Sequence, residues 1–260
     1  MTTGFDTSKP SPARIYDYIL GGKDNFAADR AYADQVMQVF PEGSQLAWAN
    51  RRFMWRSVRF CAEQVGQIVD IGTGIPTVPN VAEVAAKVNP DAVVVGVDND
   101  PVVLSHGRAL LRGEGVRIVP GDVREPERII ADLDGVVDWS KPVALVLIAV
   151  LHFVSDEEDP HRVVAAFRER LAPGSLLVAS HATFEGVSGP TLERIGNVNA
   201  KAPVPLRLRP VAEIESLFAG TELVEPGVVD VNLWHPDEES GPRVDLRVLG
   251  GVARISRNIT

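Results

Sequence analysis

The chain has 260 residues, 45% of them hydrophobic, which suits one α/β unit with a large core. A net charge of −9 gives no electrostatic footprint for duplex nucleic acid, and no apolar run reaches the ~18 residues needed to cross a bilayer. The single cysteine, Cys61, cannot form an internal disulfide, and its neighbours Phe60 and Ala62 suit ordinary burial. With a polar amino terminus and no metal-site spacing of Cys and His, these features predict a cytoplasmic protein without metal, membrane or nucleic-acid partners.

In chain order, Pro10 to Leu20 places Ile15, Tyr18 and Ile19 on one helical face, and Gly21-Gly22-Lys23-Asp24-Asn25 breaks it. A second helix is expected over Ala27 to Val39. Arg51 to Phe60 reads as a helix leading into the first strand, with Arg51, Arg52, Arg56 and Arg59 on its surface. Two roles suit this opening. It is either a helix–turn–helix lid over the sheet edge, or a cap whose Gly21-Gly22 backbone closes over a ligand, with Tyr16 and Asn25 adding polar contacts. Residues 1–62 thus form a helical cap and lead-in, and residues 63–260 a core, the two making one folding unit.

The core opens with Gln67-Ile-Val-Asp-Ile-Gly-Thr-Gly74, a strand that runs into Asp70, Gly72, Thr73 and Gly74. Glycines at 72 and 74 allow a sharp turn and close approach of backbone to a ligand. Asp70 argues against a pyrophosphate, which a fixed negative charge would repel, and favours a cationic, phosphate-free ligand. The third glycine of the dinucleotide fingerprint is also missing, since Thr77 stands there. Val78 to Val88 spaces apolar residues as a crossover helix, with Pro79 in its first turn, and Asn89-Pro90 stops it. Ala92 to Val97 is a strand of the kind buried on both faces, ending at Asp98-Asn99-Asp100. Asp98 lies about 26 residues past Gly72, close to the separation of a Gly-rich turn from a ribose-binding carboxylate.

Val116 to Val119 is the third strand, followed by Gly121-Asp122-Val123 and a helix from Glu125 to Leu133. Val143 to Leu151 is the most apolar run and reads as the central strand, ending at His152. Asp156 to Asp159 marks a solvated helix start whose charge suits the amino-terminal dipole, and the helix runs from Pro160 to Leu171. Ser175 to Ser180 is the fifth strand, with His181 at its end. Residues from Phe184 to Pro210 lack a clean period and predict a loop or small insertion rather than another βα unit. Val211 to Phe218 reads as a helix. Thr221 to Trp234 and Val244 to Ile255 are two last strands, paired antiparallel across the Pro236–Pro242 connection.

The ordered set Asp70-Ile-Gly-Thr-Gly74, Gly96-Val-Asp98-Asn99-Asp100, Gly121-Asp122-Val123 and the His152 strand end resembles a class I S-adenosylmethionine-dependent methyltransferase. Ala13-Arg-Ile-Tyr-Asp-Tyr-Ile-Leu-Gly-Gly-Lys-Asp-Asn-Phe-Ala-Ala-Asp-Arg30 resembles the leader of an actinobacterial methyltransferase family, long catalogued as a domain of unknown function. The resemblance implies a Rossmann-like α/β fold: a seven-stranded, mostly parallel sheet with its last strand antiparallel, plus the helical cap. It also implies that Gly72 and Gly74 line the methionine moiety, with Asp70 and Thr73 among the cofactor-binding residues, and that Asp98 holds the ribose hydroxyls. Asn99 would lie beside the adenine, Asp122 and Val123 would receive its amino group and ring, and Ile148 and Ala149 would flank the sulfonium. Tyr16, Gly21, Gly22 and Asn25 would cap the cofactor. Ile75-Pro76 departs from the further glycine common in the class and stiffens the turn.

For the reaction, His152 within Leu151-His-Phe-Val-Ser-Asp-Glu157 resembles the strand-end histidine of small-molecule O-methyltransferases, and is either a base or a structural histidine bonding a backbone carbonyl. His181 is either an exposed loop histidine or a substrate contact. An Asn-Pro-Pro-Tyr type signature of amino-methylating enzymes is missing after the fourth strand, which points to an oxygen nucleophile; the acceptor expected is a small molecule, with an aromatic metabolite as one option. Two rival readings are a non-catalytic S-adenosylmethionine or S-adenosylhomocysteine binding regulator and an NAD(P)-dependent oxidoreductase. Acceptor identity and oligomeric state are not encoded in any of these patterns.

Overall fold

The computed structural model describes residues 6–110, 115–237 and 246–256. Helices α1 (Pro12–Ile19), α2 (Ala27–Val39) and α3 (Gly43–Ala62) precede an alternating core. The core runs β1 (Gln67–Ile71), α4 (Val81–Ala86), β2 (Val93–Asp98), α5 (Pro101–Leu110), β3 (Val116–Pro120), α6 (Pro126–Asp132) and β4 (Ala144–Ile148). It continues through α7 (Pro160–Arg170), β5 (Leu176–Thr183), α8 (Gly189–Asn199), α9 (Val211–Ser216), β6 (Glu222–Leu223), β7 (Val229–Asp230) and β8 (Arg247–Arg254).

Strand order is β3-β2-β1-β4-β5-β8-β6, with β7 also pairing β8. The first five strands are parallel, and β8 runs antiparallel to β5, β6 and β7. The expected strand over 221–234 is thus two short pieces on the far side of β8, and the antiparallel ending is as predicted. The last five residues of the Pro236–Pro242 connection and the start of the last strand at Val244 lie outside the described residues.

Continuous apolar runs form the central strands because both sheet faces are covered. Val69, Leu145 and Leu177 point to one face, against Ile129 and Leu133 of α6 and Val163 and Phe167 of α7. Ile68, Val146 and Val178 point to the other, against Phe53, Met54, Val58 and Cys61 of α3 and Val84 of α4. Burial pushes the Cys61 thiol pKa upward, so it is an inert core residue. The arginines of α3 are not simply a helix surface as the sequence suggests. Arg56 is buried and donates to the carbonyls of Val231 and Trp234, anchoring the chain that runs from β7 back to the sheet.

The order in which strands are added reverses between parallel neighbours β1 and β4, because β1 leads outward through β2 to β3 and β4 leads the other way through β5. That reversal opens a crevice at the carboxyl ends of β1 and β4, where α/β folds bind ligands. The cap sits over it. Asp29 of α2 is fully buried and takes hydrogen bonds from the Ser11 and Phe26 amides (2.9 and 2.8 Å) and from Arg14 Nε (3.2 Å). Ser11 Oγ in turn donates to Asp100, just past β2. A small apolar cluster of Ile75, Val102 and Val103, packed by Ala13 and Phe26, completes the joint.

The Gly21-Gly22 break is built around Asp17. Gly21, at φ +85°, takes the left-handed conformation that ends α1, with amides 21 and 22 donating to Tyr18 and Asp17 carbonyls. A β-carbon on Gly22 would stand 2.0 Å from Asp17 Oδ1, and Asp17 Oδ2 accepts from the Asp24 amide and Asn25 Nδ2. Gly22→Ala therefore lowers stability by about 1–3 kcal/mol, read as a lower urea midpoint at unchanged slope.

Candidate functional site

β4 ends at Ile148, three residues short of the sequence-based boundary. Ala149 adopts φ +52°, a left-handed conformation costly for a residue with a β-carbon, and the chain then turns through a short 3-10 helix at Leu151–Phe153. The turn is held from below. Ser180 Oγ of β5 accepts from the Ala149 amide (3.0 Å) and donates to Asn50 Oδ1 of α3 (2.7 Å). Asn50 Nδ2 donates to the Tyr16 hydroxyl, which donates to the Ala47 carbonyl (2.9 Å). One buried hydrogen-bonded chain thus joins the strand end to the cap.

Above these strand ends lies a cavity of about 730 Å³, within the range of small-molecule sites. Asp70, Gly72, Thr73, Gly74, Asp98 and Asn99 line it along β1 and β2. Asp122, Val123, Ile148, Ala149 and His152 line it along β3 and β4, and Tyr16 faces it from α1. Gly21, Gly22, Asn25 and His181 are not among its lining residues. The first three form the Asp17 turn instead, so the motif that marks the leader shapes the cap rather than the cavity wall.

The two turn glycines differ in purpose. A β-carbon on Gly72 (φ +72°) would meet Val150 at 2.6 Å, so this glycine serves close packing of β1 against the β4 turn. Gly74 (φ +67°) has open space where a β-carbon would be, and its amide donates to Asp98 Oδ2 (2.9 Å). Asp98 Oδ1 accepts from the Asp100 amide (2.9 Å), leaving each carboxylate oxygen a further lone pair for a ligand. Pro79 does not enter the first turn of α4: Asn80 caps that helix, exchanging hydrogen bonds with Glu83.

Burial raises both Asp70 and Asp98 to a pKa of about 6, with the Thr73 hydrogen bond and Arg51 opposing it at Asp70 and the backbone amides opposing it at Asp98. Asp122 goes the other way, to about 2, because Arg124 grips both of its oxygens and Asn99 donates to one. Little of its hydrogen-bonding capacity is left for a ligand.

His152 is buried, with its Nδ1 unpartnered, and its pKa lies well below the usual imidazole value. Burial is the main cause, followed by His181 and Arg209, so the ring is neutral at pH 7. His181 is not an exposed loop residue: β5 runs three residues further than expected, to Thr183, and buries it. Its Nδ1 bonds the Ala182 carbonyl (2.8 Å) and its Nε2 faces Arg209 Nη1 (3.0 Å), fixing a neutral tautomer with pKa about 4. Arg209 is itself spent on Glu213, Asp156 and the Val154 carbonyl.

The segment 184–210 is not a plain loop. It contains α8, which has no buried residue and packs on α2. Leu192, Ile195 and Val198 of α8 line the cavity together with Val36 and Val39 of α2, so its apolar face covers the cavity rather than a protein core. Arg51 of α3 also lines the cavity. Its position in a basic helix gave no sign of this. Among the described residues no cluster of three His, Cys, Asp or Glu could hold a metal ion, and no helix is long and apolar enough to cross a membrane.

Residues 1–256 match a family model described as S-adenosyl methyltransferase. A DUF574 family protein from Streptomyces avermitilis is 41% identical, with a TM-score of 0.89 over 96% of this chain and 98% of that one. A candidate methyltransferase from Thermobifida fusca is also 41% identical, with a TM-score of 0.89 over 97% of both chains. Human N-acetylserotonin methyltransferase, solved with S-adenosylmethionine, shares the fold at 13% identity and a TM-score of 0.51, over 96% of this chain and 64% of that one. Among curated proteins, none matches this chain.

The buried acids make a prediction. Between about pH 4 and 6 the folded chain holds protons on Asp70 and Asp98 that the unfolded chain, with aspartates at 3.8, has released, so their contribution to stability falls as pH rises through 6. His152 and His181 act in the opposite sense, which makes the difference between variants the clean measurement. Asp70→Asn melts higher than wild type at pH 7.5 by a few degrees, since 1 kcal/mol shifts a chain of this size by roughly 2–4 °C, and the gap closes toward pH 5.

Proposed function

Because this chain belongs to the S-adenosyl methyltransferase family and is an S-adenosylmethionine-dependent methyltransferase, we propose that it methylates a hydroxyl oxygen on a small, largely apolar acceptor, with His152 as the base. The observation that carries this reading is a neutral imidazole at the wall of one cavity that has carboxylates on one side and aliphatic side chains on the other.

The cofactor suits the residues present. Gly74 leaves open space at the turn, and Asp98 keeps lone pairs outward for ribose hydroxyls. In this reading Asp70 attracts the ammonium and sulfonium, Gly72, Thr73 and Gly74 border the methionine moiety, Asn99 and Val123 border the adenine, and Ile148 and Ala149 flank the sulfur. Asp122 contributes to the adenine edge only where Arg124 releases one of its carboxylate oxygens. When bound, the cofactor supplies a methyl group on a cationic sulfur, open to in-line attack.

The protein's part is to place the acceptor oxygen, exclude water and take the proton. Val36, Val39, Leu192 and Ile195 offer an apolar bed that suits a flat or aromatic body and desolvates the nucleophile. His152, held neutral by burial and by the cation of Arg209, accepts the proton as the oxygen–methyl bond forms. Its reduced proton affinity favours an acidic hydroxyl, phenolic or enolic, over an aliphatic alcohol. A cytoplasmic setting belongs to the same reading, in keeping with the absence, among the described residues, of a helix long and apolar enough to cross a membrane.

Methyl-labelled S-adenosylmethionine offered with matched phenols and arylamines should label the phenols. Labelling confined to amines would falsify the oxygen assignment. His152→Gln lowers turnover by about a hundredfold or more while cofactor affinity stays within about twofold. Asp98→Ala weakens cofactor binding by more than about tenfold in calorimetry, the size expected for hydrogen bonds to a charged group.

A further inference from the structure

A bound amino-acid moiety needs an anion for its ammonium and a cation for its carboxylate. The strand ends supply anions in excess, and four arginines line the cavity: Arg51, Arg124, Arg207 and Arg209. Arg124 is paired with Asp122 and Glu158, Arg209 with Asp156 and Glu213, and Arg207 is exposed on the segment whose amide donates to the His152 carbonyl. Arg51 borders the glycine turn from α3, and among the described residues it makes no ion pair.

Its anchoring is specific. Nη2 donates to the carbonyls of Thr77 and Pro79, at the end of the turn that starts with Gly72, while Nη1 has no hydrogen-bond partner among the described residues and Nε is buried without one. Two carbonyl contacts hold the guanidinium in place, so little side-chain entropy is lost when an anion arrives. Asp70, Tyr16 and Glu83 are the acidic groups that bear on its charge, and Asp70 also lines the cavity. Cation and anion thus sit on neighbouring walls at the methionine end of the proposed site, a charge pattern that matches a zwitterion.

The geometry points to Arg51 as the residue that binds the α-carboxylate of S-adenosylmethionine, with Asp70 serving the ammonium. This rests on the cofactor site proposed above and adds a residue that discriminates the intact cofactor from adenosine compounds lacking a carboxylate. A carboxylate meeting an arginine that is shielded from water makes charge-assisted hydrogen bonds, stronger than those to neutral donors.

Calorimetric titration of the full-length protein with S-adenosylmethionine and with decarboxylated S-adenosylmethionine tests it, because the second ligand keeps sulfonium, ammonium and ribose and lacks only the carboxylate. Wild type should prefer the intact cofactor by about tenfold or more. Arg51→Gln should lose that preference and bind the decarboxylated ligand within about twofold of wild type, and Arg51→Lys, which keeps the charge, should retain part of it. Equal weakening of both ligands in Arg51→Gln would overturn the proposal and leave Arg51 as a brace for Thr77 and Pro79. Should the glutamine variant fail to fold, Arg51→Lys decides alone, a preference for the intact cofactor retained in whole or in part supporting a cationic partner and equal weakening of both ligands refuting it. Asp98→Ala run in parallel separates the two levels: loss of both ligands there upholds the cofactor site, whatever Arg51 does.

Discussion

The carboxylate of Asp98 is the constraint on which the site depends. Its two oxygens take the amides of Gly74 and Asp100, so a single side chain at the end of β2 sets both the glycine turn that follows β1 and the entry to α5. The strand pairing supplies the register, with Gly72 and Thr73 amides donating to the Val97 carbonyl beside it. Burial makes this carboxylate costly to ionise, and the amides offset part of that cost. A cationic ligand would offset more, which couples the chemistry of binding to the geometry of the turn.

The cap is joined to the core largely through buried polar contacts. Asp29, Ser11 and Arg14 connect α1 and α2 with each other and with Asp100, while Tyr16 and Asn50 reach down to Ser180 and the Ala149 amide. Such contacts are directional, and a half-made network is worse than none, so they favour one placement of the cap over the crevice. The Asp17 turn at Gly21 and Gly22 has the same character: it governs where α2 begins, and through α2 one wall of the cavity.

The parts of this molecule that were legible in sequence are those where pattern and burial agree. Apolar runs ending in acids identified the parallel strands and the carboxyl-end rim, because the strands face protein on both sides as the pattern predicts, and α2 spans the residues expected of the second helix. The family-like leader was legible as a motif, but its glycines were not legible as turn-formers around Asp17, since that contact depends on side-chain geometry. Local reading also missed several side chains whose surroundings come from distant segments. His181 is buried because β8 pairs with β5 along its whole length, Arg56 because the 231–234 segment folds over it, and Arg51 because the cap turns that face of α3 inward. β4 ends early at a left-handed Ala149 that no propensity would assign to alanine.

Helix α8 carries a different implication. None of its residues is buried, yet several of them border the cavity and it touches α2. Side chains that are only partly buried are under less of the selection that keeps a core intact, so changes there alter what the enclosure admits while the scaffold persists. Divergence among related proteins would then concentrate in this one helix, and a change of acceptor would require neither a new fold nor a new cofactor pocket.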